Sequence, residues 1–147
     1  MKKQLLLLAV ACGLATVGFS QEKEEKEKSI TPPAMVKAAF EKGFPGATKP
    51  KWEKEDGDYE VGFADKGNKM TAVYDAKGVL KETEVMIKES ELPAGVIDYL
   101  KAHYKGATIH EAARITKPDG TINYEAEVNK KDVIFDAKGK FIKEEKD

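Results

Sequence analysis

Beyond position 20 the chain offers few groups that could act as a nucleophile or its base: two serines (Ser29, Ser90), two histidines (His103, His110) and no cysteine. Hydrolytic chemistry needs an activated hydroxyl or thiol with a base in hydrogen-bond reach. Ser29 follows a run of charged residues, and Ser90 stands just before Glu91-Leu92-Pro93, where a serine caps a helix. Neither reads as a nucleophile. His103 and His110 could hold a metal with a third ligand such as Glu111. One falls late in a helical pattern and the other early in a strand-like one, with no HExxH or other compact spacing between them. Surface or interfacial histidines are the simpler reading.

Carboxylates are abundant, at 26 of 147 residues. Glu53, Glu55, Asp56, Asp58 and Glu60 invite a calcium loop, but an EF-hand needs oxygen ligands at alternate positions and glycine at the sixth. Glu55-Asp56-Gly57-Asp58 does not fit, and Asp75-Ala76-Lys77-Gly78 puts alanine and lysine where ligands are required. Both read as turns. Glycoside hydrolysis requires one carboxyl in an apolar pocket, and nothing singles one out. No catalytic residue, metal site or cofactor is therefore expected, which moves the search to surfaces. Trp52, the only tryptophan, is flanked by Lys51 and Glu53 and could lie on either side of a strand. It is the aromatic residue to test first for binding, whereas Tyr59 and Tyr74 keep step with apolar neighbours and belong to a core.

The start of the chain carries an address. Lys2 and Lys3 precede an apolar run from Leu5 to Val17 and the small residues Gly18 and Ser20, the layout of a cleaved secretory signal over Met1 to Ser20. The run falls short of the roughly 20 residues that a membrane helix needs. Cys12, the only cysteine, lies inside it, and Ala9-Val10-Ala11-Cys12 has the look of a lipoprotein signal. Ala9, however, stands where leucine is usual, and the apolar run continues from Gly13 to Phe19. Cleavage near Ser20 with a periplasmic or secreted product is the expectation, and a lipid anchor through Cys12 is its rival. Cleavage leaves 127 residues (147 minus 20) without cysteine, so the domain must be held by its core. Losing Lys2 and Lys3 leaves 23 basic against 26 acidic residues, a net charge of −3, which argues against a nucleic-acid partner. No transmembrane segment remains in that mature chain, and a monomer is expected.

The elements that would carry a surface are written twice. Tyr74-Asp75-Ala76-Lys77-Gly78 recurs 61 positions later as Phe135-Asp136-Ala137-Lys138-Gly139, each a short hairpin turn between apolar flanks. Val36, Phe40 and Phe44 share one helix face, with Thr31 as cap, and 60 positions on stand Val96, Leu100 and Tyr104. Four strand-like segments follow each helix. They are Pro50 to Glu55, Asp58 to Asp65, Lys69 to Asp75 and Val79 to Ile87, then Thr108 to Thr116, Thr121 to Asn129, Lys131 to Asp136 and Lys140 to Glu144. Gln21 to Lys28 holds nothing apolar and reads as a solvated leader.

An exported chain, two helix-plus-strand repeats, a Pro-Ala-x-Val helix start and the Tyr/Phe-Asp-Ala-Lys-Gly turn together resemble the PepSY-like family, whose members are similar in fold to the β-lactamase inhibitor protein. Pro33, Ala34, Phe40, Phe44, Pro45, Gly46, Ala47 and Trp52 carry the resemblance in the first copy, and Leu92, Pro93, Tyr104, Gly106 and Tyr124 in the second. It covers about Thr31 to Glu145. The resemblance implies sheets with a concave surface and a role in binding or inhibiting another envelope protein, such as a hydrolase. The inhibitor's disulfides have no counterpart in a mature chain without cysteine.

The expected fold is α+β: two tandem repeats, each one helix plus a four-stranded antiparallel sheet. The expected divisions are a signal at 1–20, a leader at 21–30 and repeats at 31–89 and 90–147. The expected function is a non-catalytic periplasmic module that binds a protein or peptide through the open sheet faces, with Trp52, Glu60, Thr71, Val73, Glu125, Glu127 and Ile134 as binding residues. A periplasmic small-molecule or metal-responsive carrier is the alternative.

Overall fold

The computed structural model describes residues 29–146. The expected signal, Cys12 and the leader through Lys28 lie outside the described residues. The element order is α1 (Ala34–Gly43), β1 (Thr48–Glu55), β2 (Asp58–Asp65), β3 (Asn68–Tyr74), β4 (Leu80–Met86), a 3-10 turn (Glu89–Glu91), α2 (Ala94–His103), β5 (Ile109–Thr116), β6 (Ile122–Val128), β7 (Lys131–Asp136) and β8 (Phe141–Lys146). Turn signals, with alternation of apolar residues in β2, β3 and β6, thus located all eight strands to within about two residues.

Both helices begin at a proline rather than at a hydroxyl cap. Pro33 and Pro93 are the N-caps, and neither helix has a side-chain cap. The expectation that Thr31 caps the first helix is corrected: the carbonyls of Pro33 and Pro93 accept the first helical hydrogen bonds, from Lys37 at 3.0 Å and Val96 at 2.9 Å. Proline suits this place because its ring presets the backbone entry and its missing N–H would have had no helical partner. Ser90 likewise lies inside the 3-10 turn, where the Glu91 carboxylate accepts the Lys88 N–H at 2.8 Å. The exits match as closely as the entries. Phe44 and Tyr104 donate to Phe40 and Leu100, both at 2.8 Å, and Ala47 and Ala107 then donate to Phe44 and Tyr104, both at 3.0 Å.

The eight strands form one sheet in the order β1-β2-β3-β4-β5-β6-β7-β8, every neighbouring pair antiparallel. A four-stranded sheet for each repeat was expected; each repeat does supply four antiparallel strands, and the pairing of β4 with β5 joins them into one eight-stranded sheet. Thr83 lies opposite Thr116, Glu84 opposite Ile115, Val85 opposite Arg114 and Met86 opposite Ala113. Left apart, β4 and β5 would each present a row of unpaired backbone groups, and joining them satisfies both. Each helix still has its own core on the same side of this sheet. Val36 and Phe40 pack with Trp52, Val61, Phe63, Ala72 and Tyr74, while Val96 and Leu100 pack with Ala112, Ala126, Val128, Val133 and Phe135.

The repeated turn seats the helix. One oxygen of Asp75 accepts the N–H groups of Lys77 (2.8 Å) and Val79 (2.9 Å), and Asp136 does the same for Lys138 and Lys140 at 2.9 Å each. These bonds to the ionised form lower both carboxyl pKa values, led by Val79 for Asp75 and Lys140 for Asp136. Gly78 and Gly139 close the turns at φ of +79° and +80° and lie against the first turn of their helices. A Cβ on Gly78 would stand 2.9 Å from the Met35 carbonyl oxygen, and one on Gly139 would stand 2.8 Å from the Val96 nitrogen. A one-residue bulge follows each turn, leaving Lys81 and Ile142 as the extra residues.

Two outcomes test this arrangement. Gly120 has φ of +84° with open space around its Cβ position, so Gly120→Ala costs only backbone strain, about 1 to 2 kcal/mol. Gly139→Ala adds a clash with helix backbone and costs at least about 3 kcal/mol, both read from denaturant unfolding. The lowered carboxyl pKa values make a stability contribution that is present above the unfolded pKa and is lost as pH falls through the folded pKa. Urea midpoints should therefore drop on acidification below about pH 5, and an Asp75→Asn, Asp136→Asn variant should drop less.

Candidate functional site

Directly opposite residues on paired strands point to the same side of a sheet, so the register maps the face away from the helices. One row runs Glu53, Glu60, Val73, Glu82. The next runs Lys51, Gly62, Thr71, Glu84, Ile115, Asn123. A third runs Met86, Ala113, Glu125, Ile134, Lys143, and a fourth runs Glu111, Glu127, Asp132, Glu145. Strands lie about 4.8 Å apart, so the fourth row lines up four carboxylates at strand spacing.

The structure brings six of the seven expected binding residues onto this face: Glu60, Thr71, Val73, Glu125, Glu127 and Ile134. Glu60, Val73 and Glu127 are half-buried, whereas Thr71, Glu125 and Ile134 are buried. The middle of the face is therefore less open than expected. On interior strands each side chain is flanked by direct and diagonal neighbours from both sides, which cover its stem. Trp52 is the correction. It lies on the helix side, 6% exposed, with its ring edge-on to Phe40 at 5.4 Å between centroids. The alternation Trp52-Lys54 against Lys51-Glu53 allowed either side, and the aromatic core around Phe40, Phe44 and Phe63 decided it.

Sequence reasoning missed the interior of the face. Glu84 (4% exposed) and Asp132 (2%) are buried there beside Glu125 (2%), with Ala113 and Ile115 between them as an apolar floor. The signal was available only in part: alternation from Thr83 and Val85 places Glu84 on the far side, but its burial follows from β5 pairing with β4. Several of these carboxylates, Glu84, Glu125 and Asp132 included, take part in a hydrogen-bonding or electrostatic interaction.

The remaining chemistry-bearing groups do not converge. His103 is exposed, stacks on Tyr99 at 3.9 Å and has Nδ1 2.9 Å from the Tyr99 carbonyl oxygen. His110 is exposed at the irregularity between Ile109 and Glu111. Among the described residues no three histidine, cysteine or acidic groups come together as a metal would require. The Ser29 hydroxyl accepts the Trp52 N–H at 3.4 Å, and the Ile30 N–H donates to the Trp52 carbonyl at 3.0 Å, so this segment runs along β1. On the helix side, the Tyr104 hydroxyl donates to Glu144, which also pairs with Lys131 at 2.7 Å. Burial first, and then the Glu144 carboxylate, push the Tyr104 pKa up to about 12. That bond ties the end of α2 to β8.

The family profile described as "Putative beta-lactamase-inhibitor-like, PepSY-like" matches residues 21–82 and again 57–143. The chain belongs to this family. A profile that matches twice, in overlapping stretches, agrees with a motif written twice in one continuous PepSY-like sheet. No curated protein matches the chain. Among solved structures it is similar to one described as "putative periplasmic proteins" from Bacteroides eggerthii, at 17% identity and a TM-score of 0.68, covering 78% of this chain and 88% of that one. A DUF2874 family protein from Bacteroides uniformis gives 20% identity and a TM-score of 0.67, covering 78% and 89%. A BLIP-like protein from Bacteroides fragilis gives 21% and 0.59, covering 79% and 86%. At such identities the likeness concerns the fold. Among the described residues no helix is long and apolar enough to cross a membrane.

Because Trp52 is core, Trp52→Ala should cost about 3 to 5 kcal/mol in denaturant unfolding. Val73→Ala, on the half-buried face, should cost less than about 1 kcal/mol.

Proposed function

We propose that this PepSY-like chain is a non-catalytic exported module that binds another envelope protein or a peptide through the sheet face away from its helices. Inhibition of an envelope hydrolase is the form of binding that the family description suggests. The observation that carries the reading is the sidedness of the sheet. Both α-helices pack on one face, while the other sets half-buried Glu60, Val73 and Glu127 around a floor of Ala113, Ile115 and Ile134. Apolar residues interspersed with charged ones suit a non-obligate protein interface, which is about as apolar as the rest of a protein surface. The scattered serines and histidines give no support to catalysis. Export rests on the Lys2-Lys3 and Leu5 to Val17 pattern, with cleavage near Ser20 in preference to lipidation at Cys12. A small-molecule or metal-responsive carrier has no comparable geometric support among the described residues.

Affinity capture from the native envelope, with wild type beside a Val73→Asp, Glu127→Lys variant, tests this. The expected outcome is a protein enriched by wild type and lost from the variant, with the melting temperature of the two alike. Identical recoveries would overturn the assignment of the face.

A further inference from the structure

We infer that the partner presents a lysine- or arginine-rich protein segment to the open face, an inference that rests on the binding reading above. Setting aside the strand ends at Glu55 and Asp58, the sheet register places nine carboxylates on this side: Glu53, Glu60, Glu82, Glu84, Glu111, Glu125, Glu127, Asp132 and Glu145. Only Lys51, Lys69 and Lys143 accompany them, apart from the strand-end pair Asp58–Lys81 and Asp136, which is turned into its own hairpin. The face is thus formally −6 in a chain whose total is −1, so the remainder is net positive. Charge is sorted by side of the sheet, and sorting of this kind selects partners by complementarity and steers their approach.

The geometry narrows the class of cation. A metal ion wants ligands converged on one point, whereas these carboxylates are spread in rows across adjacent strands and no three of the described acidic or histidine groups converge. Rows with a spacing of about 4.8 Å suit a chain of positive charges lying across the strands. An extended peptide presents alternate side chains on one side at about 6.7 Å, so three or so such residues span the fourth row. The buried carboxylates Glu84, Glu125 and Asp132 supply field rather than contact, and half-buried Glu53, Glu60, Glu82, Glu111 and Glu127 are placed to touch the partner. The chain's own leader is not the occupant, because Gln21 to Lys28 carries four glutamates against three lysines. Nucleic acid and an anionic lipid surface would be repelled.

The test uses the full folded chain and a synthetic peptide of about ten residues alternating lysine and threonine, with a glutamate–threonine peptide and spermine as comparisons. Titration should show the lysine peptide binding, more weakly as salt rises, and the glutamate peptide not binding. A Glu60→Lys, Glu127→Lys variant should lose about tenfold or more in affinity, while Lys37→Glu, Lys101→Glu on the helix side should leave it within about twofold. If the reversal variant does not fold, Glu60→Gln, Glu127→Gln keeps the shape and should lose about threefold. Equal binding of both peptides, spermine binding as tightly as the lysine peptide, or affinity unchanged in the glutamine variant overturns the inference. A captured envelope protein that depends on this face but binds without salt sensitivity overturns the cationic partner and leaves the binding reading standing. If no captured protein depends on the face, both fail.

Discussion

A glycine pressed against the first turn of a helix holds each half of this molecule in register. Gly78 meets the backbone of Met35, and Gly139 meets Gly95 and Val96, at distances that leave no room for a side chain. The aspartate three residues earlier gathers the turn's own N–H groups, so the loop arrives already shaped. With the turn fixed, the hairpin cannot slip, and a slip of one residue would turn Tyr74 or Phe135 out of the core. The same contact sets each helix on one particular face. The other face exists as a surface because of it.

The two halves then become one sheet through β4 and β5. That pairing brings Glu84 beside Ile115 and makes interior strands of what would have been edges. Within β5 to β8 the hairpin register also places Glu111, Glu127, Asp132 and Glu145 side by side in one row. Like charges at strand spacing oppose folding, and proteins keep such conflicts where a surface has a use. Ion pairs form on both sides of the sheet: Glu145 pairs with Lys143 at 2.7 Å on the open face, and Glu144 pairs with Lys131 and accepts from Tyr104 on the helix side. Each repeat carries its own acidic row opposite its own helix, and the pairing of β4 with β5 sets the two rows on one face.

Much of the fold was legible because it depends on short-range pattern. Asp75 to Gly78 and Asp136 to Gly139 read as hairpin turns from residue type, and the strands between them read from alternation. Helix starts were harder: Thr31 and Ser90 have capping side chains, yet Pro33 and Pro93 took the position, because a proline immediately before the first turn sets the entry geometry locally. Trp52 was undecidable in the sequence, since both of its neighbours are charged and either side fits the alternation. Its place came from Phe40 and Tyr74, which are distant in the chain.

The amino-acid sequence by itself determined the repeat, the turns, the strand count and the residues that alternate onto each side, since these are set by neighbours within a few positions. It also limited the chemistry, by supplying no plausible nucleophile with its base. Tertiary structure alone decided that there is one sheet and not two, that Trp52 is core, and that carboxylates as far apart in the chain as Glu111 and Glu145 share one row. Those outcomes depend on which strand edge meets which. Backbone hydrogen bonding is alike for every residue, so no local signal in β4 or β5 names its partner, and only the assembled sheet sets the acidic rows of the two repeats on one common face.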